Sequence, residues 1–381
     1  MKVVHVITGL GDGGAEAVLF RLVTHYPDDT HHVISLTGDG KYGPLLRQAG
    51  VTVTALDMPR GRVTWRGLDR LRQVLRNCRP DVVQTWMYHA DLLGGIVGRL
   101  FGVPVVWGIH NLALHKGITP HSTIAVARLC AFLSDCVPAH IVVCSDAAMS
   151  AHKEFGYKES RFVVIPNGVD LDVFFPNVAT RYRLRTQWGV SDKVPIVGMV
   201  ARYDPYKHHT NLIEALYILS LRGYEFRAVL VGSQVDPNNV HLTQLVTDLG
   251  LTNQVCLLGP TNDVPSVMNA IDVHVLSSCA ESFGNVLIEA MACGTPCVST
   301  AVGEAVRIVG DTGWVVPPRD PHALANAIQE ALRAWQDKSR WEERQRACRE
   351  RIAEAFSIDA MVQRYREVWQ MVRANALPAN A

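Results

Sequence analysis

The chain has 381 residues, 48% hydrophobic and 19% charged, with a formal net charge of +1. That length exceeds what one hydrophobic core usually organises, so two domains are expected. The even charge balance and high apolar content exclude a disordered chain and a bulk nucleic-acid binder.

In chain order, Met1–Ile7 reads as a strand, and its apolar run is too short for a signal peptide. Further strand-like runs follow at Val33–Leu36, Val51–Leu56, Val82–Gln84, Val105–Trp107 and Ile141–Cys144. Helical patterns fill the gaps at Ala15–Thr24, Leu68–Arg79 and Ile124–Leu133. The apolar region Leu92–Ile109 is broken by Arg99 and Pro104, so it reads as helix then strand and not as a membrane span. After Ile165-Pro-Asn-Gly-Val-Asp-Leu-Asp172 the alternation pauses, then resumes at Ile196–Val200, Ala228–Val231, Gln254–Leu257, Ile271–Leu276 and Cys297–Ser299. Strand–helix alternation implies parallel sheets with helices on both faces and ligands at the carboxyl ends of the strands. The expected class is therefore α/β with two doubly wound domains, residues 1–180 and 181–356. An amphipathic helix follows in 357–381, with Met361, Tyr365, Val368 and Trp369 on its apolar side.

Nine cysteines are scattered without a C-x-x-C pair, which argues against zinc and redox motifs and suits buried free thiols in a cytosolic enzyme. Asp170-Leu-Asp172 is a literal D-x-D, but it lies in a turn-rich connector with Pro166, Asn167 and Gly168, and no metal site is expected. Gly9-Leu-Gly11-Asp-Gly13-Gly14 follows the first strand and matches G-x-G-x-x-G. A dehydrogenase would also need an acid for the ribose, and Asp28, Asp29 and Asp39 are all poorly placed for it. Arg60–Arg79 carries seven arginines against one acid, Asp69, with Trp65, Leu68, Leu71 and Leu75 at roughly helical spacing. It is either a solvated helix face or a contact for anionic lipid headgroups.

The densest chemistry lies in Glu281-Ser-Phe-Gly-Asn-Val-Leu-Ile-Glu289, followed by Ala-Met-Ala-Cys-Gly294-Thr-Pro296. The strand Ile271–Ser278 ends in small polar residues, and Ser282 or Asn285 is expected to cap the next helix. Gly294 is its expected stop. One carboxylate then sits at the strand's carboxyl edge and the other one to two turns into the helix. Backbone N–H groups between them form an anion site.

This stretch resembles the E-x7-E motif of retaining family-4 glycosyltransferases with the GT-B fold, two Rossmann-like domains facing across a cleft, whose last helix crosses back to the N-terminal domain, as the resemblance implies for 357–381. Other segments carry the same resemblance: the glycine loop, Gly108-Ile-His110, Arg202-Tyr-Asp-Pro-Tyr-Lys207 as R-x4-K, and Leu257-Leu-Gly259-Pro-Thr-Asn262-Asp263. The family usually has a glycine before that arginine, and often one after the lysine; here they are Ala201 and His208. The resemblance implies a metal-independent enzyme without a cofactor, moving a hexose from a nucleoside diphosphate, UDP in preference to GDP, to a glycan or lipid-linked hydroxyl. It implies a cytoplasmic enzyme of cell-surface polysaccharide or glycoconjugate assembly, with peripheral contact at the inner membrane face through Arg60–Arg79.

By the same resemblance, Gly13, Gly14, Arg202, Lys207 and the backbone near Phe283 and Gly284 would hold the diphosphate. Glu289 would hold the ribose, and Gly259, Asn262 and Asp263 would line the nucleobase. Glu281 would bind the transferred sugar, with His110 on its reacting side. An epimerase or phosphorylase on the same fold and a non-catalytic nucleotide-binding protein remain as competing readings.

Overall fold

The computed structural model describes residues 1–26, 28–112, 114 and 119–376. His115 and the last five residues of the expected 357–381 segment lie outside them. The described chain forms two compact units, Met1–Gly168 with the helix Ile358–Ala376, and Val169–Ser357. The first division thus falls at Gly168/Val169 and not at 180. The reason is local: the Val169 N–H bonds the Phe356 carbonyl at 2.9 Å, and Arg349 bonds the Phe174 carbonyl at 3.0 Å.

The first unit runs β1 (Lys2–Ile7), α1 (Gly14–His25), β2 (Thr30–Ser35), α2 (Tyr42–Gln48), β3 (Thr52–Ala55), α3 (Trp65–Cys78) and β4 (Val82–Trp86). It continues with α4 (Tyr88–Leu100), β5 (Val105–Ile109), α5 (His121–Leu133), β6 (His140–Val143), α6 (Asp146–Glu154) and β7 (Phe162–Val164). The second unit runs α7 (Val178–Gln187), β8 (Ile196–Val200), α8 (His209–Leu221), β9 (Arg227–Val231), α9 (Val240–Asp248), β10 (Val255–Leu257) and α10 (Val264–Ala270). It ends with β11 (Val273–Leu276), α11 (Asn285–Ala292), β12 (Cys297–Thr300), α12 (Ala305–Val309), β13 (Trp314–Val316), α13 (Pro321–Gln336) and α14 (Lys338–Ala355). Helix α15 (Ile358–Ala376) belongs to the first unit.

Every described strand pair is parallel, and the sheet orders are β3-β2-β1-β4-β5-β6-β7 and β10-β9-β8-β11-β12-β13. Each chain path starts mid-sheet, winds to one edge and then crosses to the other side. The loops after β1 and β4, and after β8 and β11, therefore diverge at the strands' carboxyl ends and leave a crevice. Short β7 and β13 were not expected as strands; each has three half-buried residues at a sheet edge, too few for a clear apolar run.

In the first unit alternate strand residues feed opposite faces, as a period of two dictates. Val4 and Val6 pack under α3, α4 and α5, whereas Val3 and Ile7 pack under α1 and α15. Helix α15 buries Met361, Tyr365, Val368 and Trp369, the expected apolar side, together with Ile358, Val362 and Val372. A fully buried large apolar side chain contributes about 1.5–3 kcal/mol, so this stripe holds the helix on the sheet. None of the described helices is long and apolar enough to cross a membrane.

Candidate active site

In the second unit two loops meet at the switch point between β8 and β11, which pair in register Val273↔Val197. The β8 loop is a tight turn: Asp204 accepts the Tyr206 N–H on its side chain at 2.9 Å and the Lys207 N–H on its carbonyl at 2.9 Å. This turn delivers Lys207 to the start of α8. His208 there has φ 52° and offers no side-chain cap, so the helix's positive end stays uncovered by its own side chain. The β11 loop is stitched to it. The Cys279 N–H bonds the Tyr206 carbonyl at 2.8 Å, and Ser277 Oγ lies 3.0 Å from the Lys207 carbonyl.

Across this seam Lys207 Nζ forms an ion pair and short hydrogen bond with Glu281 Oε1, and Ser278 Oγ donates to the same oxygen at 2.8 Å. Thr300 Oγ1 in turn holds the Ser278 carbonyl at 2.6 Å. Gly303 supports the loop from below. Its φ is +52°, and a Cβ there would lie 2.4 Å from the Glu281 carbonyl oxygen. The small polar strand ends at Ser277, Ser278 and Thr300 are thus the residues that hold the carboxylate in place.

The other expected residues of the second unit sit on the loops after β8, β10 and β11 and on α11. Arg202 stands on the β8 loop, 55% exposed, with its guanidinium turned to Asp204 at 3.1 and 3.2 Å and not to Glu281. The Phe283 ring is buried against Phe356 at 5.9 Å, so only its backbone can face a ligand. The N-cap position of α11 falls on neither Ser282 nor Asn285. Its N-cap is Gly284 in the left-handed region, φ 96°, a conformation those side chains would strain and glycine adopts freely. Gly294 at φ +75° ends α11 as expected. Glu289 is 7% exposed on the second turn of α11. At the next loop Gly259 receives the Gly232 N–H at 2.9 Å, Asn262 is exposed, and Asp263 caps α10 through the Ser266 N–H at 3.2 Å.

In the first unit Gly13 is the N-cap of α1 in extended conformation, and Gly14 opens the helix. The glycine loop borders a cavity of about 770 Å³ with apolar walls from Leu36, Met58, Leu92 and Val126, and with Arg60, Arg62 and His89 at its margin. His110 leaves the carboxyl end of β5. Its ring stacks on Trp86 with centroids 5.0 Å apart and planes at 20°, and the Tyr365 hydroxyl lies 3.4 Å from Nε2. Burial pulls its pKa down to about 4, so the imidazole is neutral near pH 7. The sequence contained no local sign of Trp86 or Tyr365 beside His110. Trp86 ends β4, and Tyr365 lies 255 residues from His110.

A crevice at each switch point, cationic and helix-start groups in the second unit and an apolar cavity in the first mark two Rossmann-like α/β units with ligand sites at the carboxyl ends of their strands. Residues 12–173 match the family described as Glycosyltransferase Family 4, and residues 181–348 match Glycosyl transferases group 1. The chain belongs to this group and is a glycosyltransferase. It is similar to Anabaena Alr3699/HepE in complex with UDP-glucose, at 25% identity and TM-score 0.84, covering 97% of this chain and 100% of that one. It is also 26% identical to the Escherichia coli UDP-Gal:alpha-D-GlcNAc-diphosphoundecaprenol alpha-1,3-galactosyltransferase, over 80% of this chain and 79% of the relative. A third relative, the Salinispora arenicola D-inositol 3-phosphate glycosyltransferase, is 30% identical over 66% of this chain and 61% of its own length.

Proposed function

We propose that the enzyme transfers a hexose, with retention of anomeric configuration, from a uridine diphosphate sugar to a hydroxyl of a glycan or lipid-linked acceptor in cell-surface polysaccharide or glycoconjugate assembly. The Lys207–Glu281 pair at the β8/β11 switch point carries the reading, because it puts a cation and a hydroxyl-binding carboxylate beside an uncapped helix start. The UDP-glucose complex of the Anabaena protein supports the donor, and the E. coli relative's name supports a diphosphate-linked lipid acceptor.

In this reading Arg202, Lys207, Gly13, Gly14 and the Phe283–Gly284 backbone hold the diphosphate, and Glu289 holds the ribose hydroxyls. Gly259, Asn262 and Asp263 line the base, Glu281 binds the sugar, and His110 serves its reacting side. Fixed cations and N–H dipoles stabilise the departing diphosphate, so neither a metal ion nor a further cofactor is required. Glu281 is engaged by Lys207 and Ser278, which favours a binding role over attack on the sugar. Transfer is then front-face: the acceptor oxygen bonds to the anomeric carbon as the carbon–phosphate oxygen bond breaks, and the acceptor proton passes to that phosphate oxygen. Incubation with α-linked UDP-hexoses and a lipid-diphosphate saccharide, read by proton NMR of the new linkage, tests this. An α-linked product is expected; a β-linked product overturns retention.

The acceptor reading includes reversible attachment to the cytoplasmic face of a membrane. Helices α3, α4 and α5 share one face of the first sheet. Trp65, Leu100 and Phe132 on them are 87%, 79% and 81% exposed. The arginines at 60, 62, 66, 70, 72, 76, 79, 99 and 128 are exposed on the same segments. Apolar side chains among cations suit an anionic headgroup layer.

A further inference from the structure

We infer that Tyr365, on the C-terminal helix α15, is a positioning residue that fixes His110 as its neutral Nδ1–H tautomer; this rests on the role proposed for His110. The argument is one of hydrogen-bond satisfaction. The Tyr365 hydroxyl belongs to a side chain 1% exposed, wedged between Trp86 at 6.0 Å and Trp369 at 5.8 Å between ring centroids. Among the described residues it has one hydrogen-bond partner, His110 Nε2 at 3.4 Å. A buried phenol hydroxyl needs an acceptor for its proton. If Nε2 carried hydrogen, the Tyr365 oxygen would accept it, and the phenol proton would be left with no acceptor among the described residues. Nε2 is therefore the acceptor, and the ring's hydrogen sits on Nδ1.

Trp86 completes the clamp. Stacked on His110 at 20°, it fixes the plane of the imidazole while Tyr365 fixes its rotation within that plane. Trp86 is itself anchored by donating Nε1–H to His5 Nδ1 at 3.3 Å. Helix α15 is held next to it by the Trp369 Nε1–H bond to Gln84 Oε1 at 3.0 Å. The last helix of the chain thus reaches the end of β5 through one hydroxyl, and the burial that keeps the imidazole neutral preserves its acceptor.

The test compares Tyr365→Phe with His110→Ala and the intact enzyme, all at full length. Tyr365→Phe keeps the ring and removes the hydroxyl alone. With ¹⁵N-histidine labelling, intact enzyme should show His110 protonated at Nδ1, and Tyr365→Phe should shift it toward a mixture with Nε2–H. Turnover should fall about 5- to 30-fold, the loss for one hydrogen bond of 1–2 kcal/mol, with the UDP-sugar KM within about twofold. An unchanged tautomer in Tyr365→Phe overturns the proposal even if the rate falls, because packing alone then explains the loss. Nε2–H in the intact enzyme overturns it too. Full activity in His110→Ala removes the underlying role of His110. A slow His110→Ala beside a Tyr365→Phe of wild-type rate removes only the positioning.

Discussion

Lys207 and Glu281 stand 74 residues apart in sequence and touch because β8 and β11 are neighbours in the sheet although not in the chain. Their loops cross at the one place in the second unit where the winding reverses. The lysine rests on the carboxylate, with side chains 19% and 13% exposed, and Arg202 rests on Asp204. On the proposed reading, Arg202 and Lys207 would also reach the phosphates of a bound donor.

Removing either cation should therefore damage the transition state more than the fold. Lys207→Ala and Arg202→Ala should each lose about 2–4 kcal/mol of transition-state stabilisation, measured as kcat/KM. Arg202→Ala should melt close to wild type, since its exposed pair with Asp204 contributes little stability. Near-normal turnover in both variants would remove them from the site.

Gly303→Ala tests the support under Glu281. The added Cβ meets the Glu281 backbone carbonyl at 2.4 Å and the residue sits at φ +52°, so strain and clash coincide. A loss of about 1–3 kcal/mol of stability is expected, with weaker donor binding. Unaltered melting and unaltered donor affinity would show the loop to be unconstrained.

Acid should destabilise the fold between about pH 6.5 and 4. Burial lowers His31, His110 and His209 to about 4, His274 to about 3, and His5 well below its usual value. The unfolded chain binds protons on these residues from about pH 6.5 downward, whereas the native state does not until about 4. With more protons on the unfolded state, stability rises with pH through this window and is fully present above it. His5 also shows why: its Nδ1 accepts from Trp86 and its Nε2 faces His31 Nδ1 at 3.0 Å, so a further proton sets donor against donor. Urea midpoints at pH 7.5, 6 and 5 should fall in that order; equal midpoints would contradict the assignment.

EDTA should leave transfer largely intact. Complete loss restored by manganese or magnesium would return Asp170 and Asp172 to consideration as ligands. Asp170 already accepts the Asp172 N–H at 2.9 Å, an arrangement that closes the turn.

Membrane attachment should be salt-sensitive, since screening contracts to about 3 Å at molar salt. Co-sedimentation with phosphatidylglycerol vesicles should be clear at low salt and lost at high salt. Changing Arg66, Arg70 and Arg72 to Glu should abolish it. No binding at low salt, or binding indifferent to charge reversal, leaves a soluble acceptor.

The strands, the amphipathic last helix and the motif loops were legible because each leaves a local mark. Apolar runs showed the buried parallel strands, and Met361, Tyr365, Val368 and Trp369 marked one helical face. What escaped depended on distant partners or on backbone angles. Gly284 caps α11 through a left-handed backbone that Ser282 and Asn285 masked as better side-chain caps. Asp204, inside the R-x4-K segment, holds Arg202, and the residue order alone did not announce it. The clamp on His110 joins β4, β5 and α15, and no short window of sequence contains all three.

The most direct test of the central claim is calorimetric titration of UDP and UMP into wild-type protein and into the double variant Arg202→Ala, Lys207→Ala. If these side chains clamp the second phosphate, the wild type should bind UDP at least about tenfold more tightly than UMP, a difference of 1.4 kcal/mol. That preference should vanish in the double variant while UMP affinity stays nearly unchanged. Equal affinity of the wild type for UDP and UMP, or a UDP preference that survives in the double variant, would contradict the account.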